Sequence, residues 1–219
     1  YKMLNNLNLA HKAFEKSIEI EPKFPDPYNN LGTIFFEQGK FTKALGLFKN
    51  AIKLKPDYVD AYSNMGLVLK DMSLFDKALK TLKKGLTFDN KNSQILFNIG
   101  IVYQEMKDLE KAEIFFNQAI ELDPKNVDYI YRLSNFLLFR QRYDEALVLL
   151  KRIIQIGTNA TNFDKVNFWI KALEGENTDT APITHIQDMF DKYAKDFDKS
   201  LVNDLQYNAP KLIVDKLLE

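Results

Sequence analysis

The sequence predicts an all-α fold, a solenoid of stacked helical hairpins, on three observations. The stretch 25–126 can be laid over itself with a slip of 34 residues while its large, small and apolar columns stay in register, and a period of that length marks a stacked array. Within a unit the apolar residues recur at helical spacing: Tyr28, Leu31, Gly32 and Phe35 fall at i, i+3, i+4 and i+7, one stripe of an amphipathic helix. Glycine and proline punctuate the units. Gly39 separates a first helix from a second, and Pro22, Pro56 and Pro124 stand where a helix must stop, because proline has no N–H to continue it.

The columns carry the period. Tyr28-Asn29-Asn30-Leu31-Gly32 recurs as Tyr62-Ser63-Asn64-Met65-Gly66, as Leu96-Phe97-Asn98-Ile99-Gly100, and more weakly as Ile130-Tyr131-Arg132-Leu133-Ser134. Further along each unit stand Phe41, Phe75, Leu109 and Tyr143, then Ala44, Ala78, Ala112 and Ala146, then Phe48, Leu82, Phe116 and Leu150. In the hairpin reading Gly32, Gly66 and Gly100 face Ala44, Ala78 and Ala112, so that two backbones approach closely. With several columns agreeing at once, residues 1–160 resemble the tetratricopeptide repeat, a two-helix unit of this length. The resemblance implies a right-handed solenoid whose first helices line a concave face. One hairpin cannot bury its own stripe, so neighbours must stack.

In chain order, residues 1–24 read as a partial first repeat, with Leu7, Ala10, Phe14 and Ser17 in second-helix columns. The chain starts at Tyr1 in mid-repeat, which reads as a fragment of a longer protein. Four repeats follow at 25–58, 59–92, 93–126 and 127–160. The second has Asn90 for the closing proline and Gly85 for a small alanine; the fourth has Ser134 for glycine and Thr158 for proline, the degeneration expected near a cap. Residues 161–174 predict a capping helix with the stripe Phe163, Val166, Ile170 and Leu173, beside which Trp169 reads as a buried cap residue. Residues 175–181 are polar and turn-rich, a linker ending at Pro182. In 182–219 the register disappears; Ile183, Ile186, Phe190, Tyr193 and Phe197 are spaced for a helical extension, and Asn208-Ala209-Pro210 begins another helix.

That extension carries a second resemblance. Met189-Phe190-Asp191-Lys192-Tyr193-Ala194-Lys195-Asp196-Phe197-Asp198, followed by Leu201-Val202, Leu205, Tyr207 and Ala209-Pro210, looks like the lead-in of bacterial S-adenosylmethionine-dependent methyltransferases that carry tetratricopeptide repeats. In such enzymes these helices precede a strand and a glycine-rich turn, which 182–219 does not contain. No methyl transfer is expected from these residues alone. The other reading of the segment is a helical extension that packs on the array or forms a homo-oligomer through residues 182–219.

Composition narrows the function classes. Thirty Lys and Arg balance thirty Asp and Glu, so no bulk attraction to nucleic acid or to an anionic membrane is expected. No cysteine is present, which removes disulfides, thiolate catalysis and Cys-based zinc sites. No apolar run approaches the roughly 20 residues of a spanning helix. His11 and His185 stand apart, without an i+4 histidine or a ligand cluster, and no Gly-x-Gly or P-loop turn occurs. No catalytic residue, metal or cofactor is therefore expected, and the expected location is cytoplasmic.

The candidate site lies opposite the core stripe of each first helix. A helical wheel places there Asp26, Asn30, Thr33 and Glu37; Asp60, Asn64, Leu67 and Asp71; Gln94, Asn98, Ile101 and Glu105; and Asp128, Arg132, Asn135 and Phe139. Asn30, Asn64 and Asn98 form a ladder of amides, each able to donate and accept a hydrogen bond from the backbone of an extended peptide. Leu67, Ile101 and Phe139 are apolar on an arc that should face water, which marks a contact surface. Six acids (Asp26, Glu37, Asp60, Asp71, Glu105, Asp128) outweigh Lys70 and Arg132, favouring a neutral or cationic protein or peptide partner. The sequence thus predicts a protein-interaction scaffold, with the substrate-recruiting part of a methyltransferase as the alternative.

Overall fold

A computed structural model describes residues 2–157 and 163–175, with side-chain surroundings from residue 9. Ten helices occur among them, and no strand. They are α1 (Lys2–Ile20), α2 (Pro25–Glu37), α3 (Phe41–Leu54), α4 (Val59–Asp71), α5 (Phe75–Leu86), α6 (Ser93–Glu105), α7 (Leu109–Leu122), α8 (Val127–Phe139), α9 (Tyr143–Ile156) and α10 (Phe163–Leu173). The fold is an all-α helix-hairpin solenoid. The chain divides into two compact units, Tyr1–Pro124 and Lys125–Glu219. Residues 176–219, on which the extension, most of the linker and the methyltransferase-like run fall, lie outside the described residues.

In the first unit α2 pairs with α3, α4 with α5, and α6 with α7; each second helix then packs on the first helix of the next pair. The first helices also touch in the order α2, α4, α6, more closely than the second helices approach one another. Crowding on one side and splaying on the other turns α2, α4 and α6 into the inner wall of this unit.

The core explains the crowding. Ala44, Phe48, Ala51, Ala78, Leu82, Ala112, Phe116 and Ala119 have no exposed surface. The helical glycines meet the large member of this set rather than the alanine opposite which the hairpin reading set them. A Cβ on Gly32 would stand 2.7 Å from Phe48, one on Gly66 2.5 Å from Leu82, and one on Gly100 2.7 Å from Phe116. The bare backbone of each first helix is therefore a seat for one large side chain of the second. The alanine allows the approach, and the large side chain is the nearest group that fills it; at Gly100 the carbonyl of Ala112 also comes near, at 3.2 Å. Gly85, where the repeats before and after carry Ala51 and Ala119, is explained the same way: its Cβ would meet Ile95 at 2.6 Å and Tyr62 at 3.0 Å.

Two repeat junctions are tied through a tyrosine. Tyr28 Oη donates to the Pro22 carbonyl at 2.9 Å and Tyr62 Oη to that of Pro56 at 3.0 Å. The repeat that has Leu96 in place of this tyrosine also has Asn90 in place of the proline.

The turn inside each hairpin holds one residue at positive φ: Gly39 at 71°, Ser73 at 58°, Lys107 at 64° and Gln141 at 60°. In each, the next N–H reaches back five residues to close the helix end, Lys40 to the Phe35 carbonyl, Leu74 to Leu69, Asp108 to Tyr103 and Arg142 to Leu137, the Schellman arrangement. The glycine at position 39 is thus one solution to a turn that three side-chain-bearing residues adopt under strain.

In the second unit α8 pairs with α9 and α9 packs on α10. The buried face of α10 is Lys165, Val166 and Phe168, while Phe163 of the expected stripe is 40% exposed. Ile170 and Leu173 are half-buried. Trp169 is half-buried and meets Phe168 edge-on at 5.7 Å. Lys151 Nζ pairs with Glu174 Oε1 at 2.6 Å, joining α9 to the end of α10.

These contacts set the expected response to urea unfolding. Gly66→Ala forces its methyl into Leu82 and should cost about 1–3 kcal/mol. Lys107→Gly relieves a left-handed residue, less the entropy of a new glycine, and should gain about 0.5–1 kcal/mol. Equal midpoints for the three proteins would contradict both assignments.

Candidate functional site

The site is built on the inner wall of the first unit. Asparagine 98 is the best-anchored of the ladder residues and also the least accessible. Its side chain is 1% exposed; Nδ2 donates to Ser63 Oγ at 2.8 Å and Oδ1 accepts from Gln94 Nε2 at 3.1 Å. Asn64 is half-buried, and its Nδ2 donates to Asn29 Oδ1 at 3.0 Å. Each amide reaches a residue 35 positions earlier on the neighbouring first helix. Two members of the ladder are therefore ties between consecutive repeats. Asn30, with only α1 before its helix, stays exposed.

The physical reason for the difference is how closely α2, α4 and α6 pack. Residues on the flank of one first helix come within hydrogen-bond reach of the next, and a buried amide must find partners there. The sequence reading missed Asn29 and Ser63, both buried. One signal could have pointed to them: each precedes its own ladder position and lies one repeat plus one residue before the next.

The other expected residues stand as follows. Glu37, Asp71 and Glu105 are exposed at the C-terminal ends of α2, α4 and α6, one per repeat; Asp71 forms an ion pair with Lys70. Thr33 is half-buried and donates to the Asn29 carbonyl at 3.2 Å. Leu67 and Ile101 are half-buried rather than open to water, since neighbouring first helices cover part of each. In the second unit, Arg132 and Asn135 on α8 are half-buried, and Phe139 at its end is 53% exposed.

Tyr58, the residue before α4, is a further member of the wall's other rim. Burial, and then the Asp26 carboxylate to which its hydroxyl donates, push that hydroxyl well above its ordinary pKa of 10.0; Asp26 and Asp60 repel the phenolate, and Asn29 also hydrogen-bonds the oxygen. Lys55 Nζ lies 4.9 Å from the ring centre. Asp26, half-buried, and Asp60, exposed, flank this tyrosine, so the inner wall has carboxylates along both rims and apolar Leu67 and Ile101 between them. A wall of this kind can hold an apolar side chain at its middle and ammonium or guanidinium groups at its edges. Among the described residues no group of acids and histidines is arranged to hold a metal, and no helix is long and apolar enough to cross a membrane.

Family models match along most of the array. Those described as tetratricopeptide repeat match residues 13–46, 59–92, 93–126 and 115–148, and one described as TPR repeat matches 32–73. Among the curated proteins compared, none matches the sequence. Solved structures share the fold at low identity. A thermophilic TPR protein of Thermus thermophilus, TTC0263, is 18% identical with a TM-score of 0.67, over 78% of this chain and 92% of that one. The pilF protein of Pseudomonas aeruginosa is 18% identical with a TM-score of 0.65, over 80% of each chain. YrrB, described as a TPR protein with an unusual peptide-binding site, is 20% identical with a TM-score of 0.51, over 72% of this chain and 81% of that one.

Two measurements check the assignments. Asn98→Ala removes the amide that donates to the buried Ser63 hydroxyl and should lower stability by about 1–3 kcal/mol; a neutral result would remove the tie. For Tyr58, both states hold the proton below its ordinary pKa of 10.0. Above it the unfolded chain releases the proton first, so stability falls as pH rises through the alkaline range. Tyr58→Phe should therefore lose less stability than the wild type between about pH 9 and 11 in urea titrations.

Proposed function

We propose, on the premise that the chain belongs to the tetratricopeptide repeat family, that it is a protein-interaction scaffold holding a polypeptide segment of its partner against the inner wall of α2, α4 and α6. The observation that carries this reading is the recurrence of exposed Glu37, Asp71 and Glu105 beside half-buried Leu67 and Ile101. A periodic wall with charge at its rims and apolar surface between suits an extended chain whose side chains alternate.

In this reading Asn30, Thr33 and Asn64 supply hydrogen-bonding edges, Leu67 and Ile101 the apolar floor, and Glu37, Asp71 and Glu105 the charge. Asn98 holds the wall together from behind. Arg132, Asn135 and Phe139 give α8 of the second unit a contact face of its own. The partner is a neutral or cationic protein or peptide, since the acids of α2, α4 and α6 face one base, Lys70. The scaffold itself is not a catalyst. The peptide-binding site in the description of YrrB lends this reading support at the level of the fold.

A second reading rests on the Met189–Asp198 run: the array recruits substrate for a methyltransferase in a longer parent protein. Methyl transfer from S-adenosylmethionine by the parent polypeptide tests it.

The scaffold reading is tested by fluorescence anisotropy with a labelled extended peptide alternating lysine and leucine. Binding is expected, with Leu67→Ala and Glu105→Gln each weakening it by about threefold to tenfold. Asp76→Asn on α5 should change nothing. Equal affinity for a peptide carrying glutamate in place of lysine would sink the proposal.

A further inference from the structure

The two helix sets of the first unit carry opposite charge, although the whole chain sums to zero. Helix α3 has three lysines and no acid, and α5 has four lysines against Asp76 alone. All seven lysines are exposed. Helices α2, α4 and α6 together have five acids against Lys70. A face that serves only solubility mixes its signs, as α7 does with Glu110, Glu113 and Glu121 beside Lys111. On α3 and α5 the signs are not mixed. Lys49 and Lys53, like Lys80 and Lys84, stand at i,i+4, where like charges repel along a helix. Each such pair is relieved by an anionic surface laid against it.

We infer that this surface is the inner wall of a second copy of the chain, the α3/α5 lysines of one copy docking on the carboxylates of α2, α4 and α6 of another. The argument is complementarity of charge and of sequence period. Both faces belong to the same 34-residue array, so Lys49 and Lys83 are separated by one repeat, as are Glu37, Asp71 and Glu105. Cations recurring with the same 34-residue period are available on the chain's own outer helices, where α3 and α5 lie farther apart than α2, α4 and α6 do. A polyanion would neutralise the lysines and leave the inner wall uncompensated; a second copy neutralises both. The contact joins unlike faces, so it does not close as a two-fold dimer and adds copies in series. It is made of exposed ion pairs, individually weak and screened by salt. The inference rests on the reading of the inner wall as a face for cationic partners.

The test is sedimentation velocity of the full chain over a range of concentrations, at about 50 mM and about 500 mM salt. The expected result is a mass above the monomer that grows with concentration at low salt and returns to the monomer at high salt. Lys80→Glu/Lys84→Glu and Glu37→Lys/Glu105→Lys should each lower association by about tenfold or more. Mixing the two variants should restore it, because the unaltered lysines of one then meet the unaltered acids of the other. Association that survives either reversal or high salt overturns the inference. So does a monomer at low salt: if that monomer still binds the lysine–leucine peptide, the inner-wall reading stands without self-association, and if it binds none, both fail. A monomer that binds phosphatidylserine vesicles through Lys80 and Lys84 overturns it in favour of a lipid surface.

Discussion

A large side chain seated on bare helix backbone is the contact from which the rest of the array follows. Phe48, Leu82 and Phe116 each lie against a glycine of the first helix in the same hairpin, at distances that leave no room for a methyl group. Close approach at that point lets the helices pack with alanine between them and no void. Because each hairpin buries its large residue but exposes the flank of its first helix, the next hairpin must cover that flank. The crowding of α2, α4 and α6 on one side and the splaying of α3 and α5 on the other are consequences of the same seat.

Crowding then decides which polar groups are free. Once first helices are near neighbours, an amide on the flank of one is within reach of the next. Asn64 bonds Asn29, and Asn98 bonds Ser63. A buried amide without partners would cost more than the bond is worth when made, so these side chains specify the register between repeats. The groups of the wall that keep accessible surface are Asn30, the carboxylates at the helix ends and, in part, Asn64, Leu67 and Ile101. The acid rims and the lysines of α3 and α5 are separated because the helix pair puts its two polar arcs on opposite sides of one core. A protein with no net charge therefore presents two strongly charged surfaces.

Much of this was legible in the sequence. A slip of 34 residues aligns glycine with glycine and alanine with alanine, and 3.6-residue periodicity identifies both helices of each pair, since helix geometry converts spacing directly into a face. The columns also identified the large residues at 48, 82 and 116, but not that they, rather than the alanines, fill the space over the glycines. A column records which residue types recur and not which atoms touch. The turn was less legible still: Gly39 announces a left-handed residue, but Ser73, Lys107 and Gln141 adopt the same conformation because backbone closure at the helix end imposes it.

Membership in a stacked helical array, the arc of each first helix that lies away from its own core, and the sign of the charge on that arc were determined by the sequence itself, because all three depend on spacing within one repeat. Which members of the arc remain accessible was decided by tertiary structure. Asn30, Asn64 and Asn98 are equivalent by period, yet one is exposed, one half-buried and one almost wholly enclosed. Accessibility depends on what the neighbouring helix brings within about 3 Å, and that distance is set by packing between repeats, which no single repeat encodes.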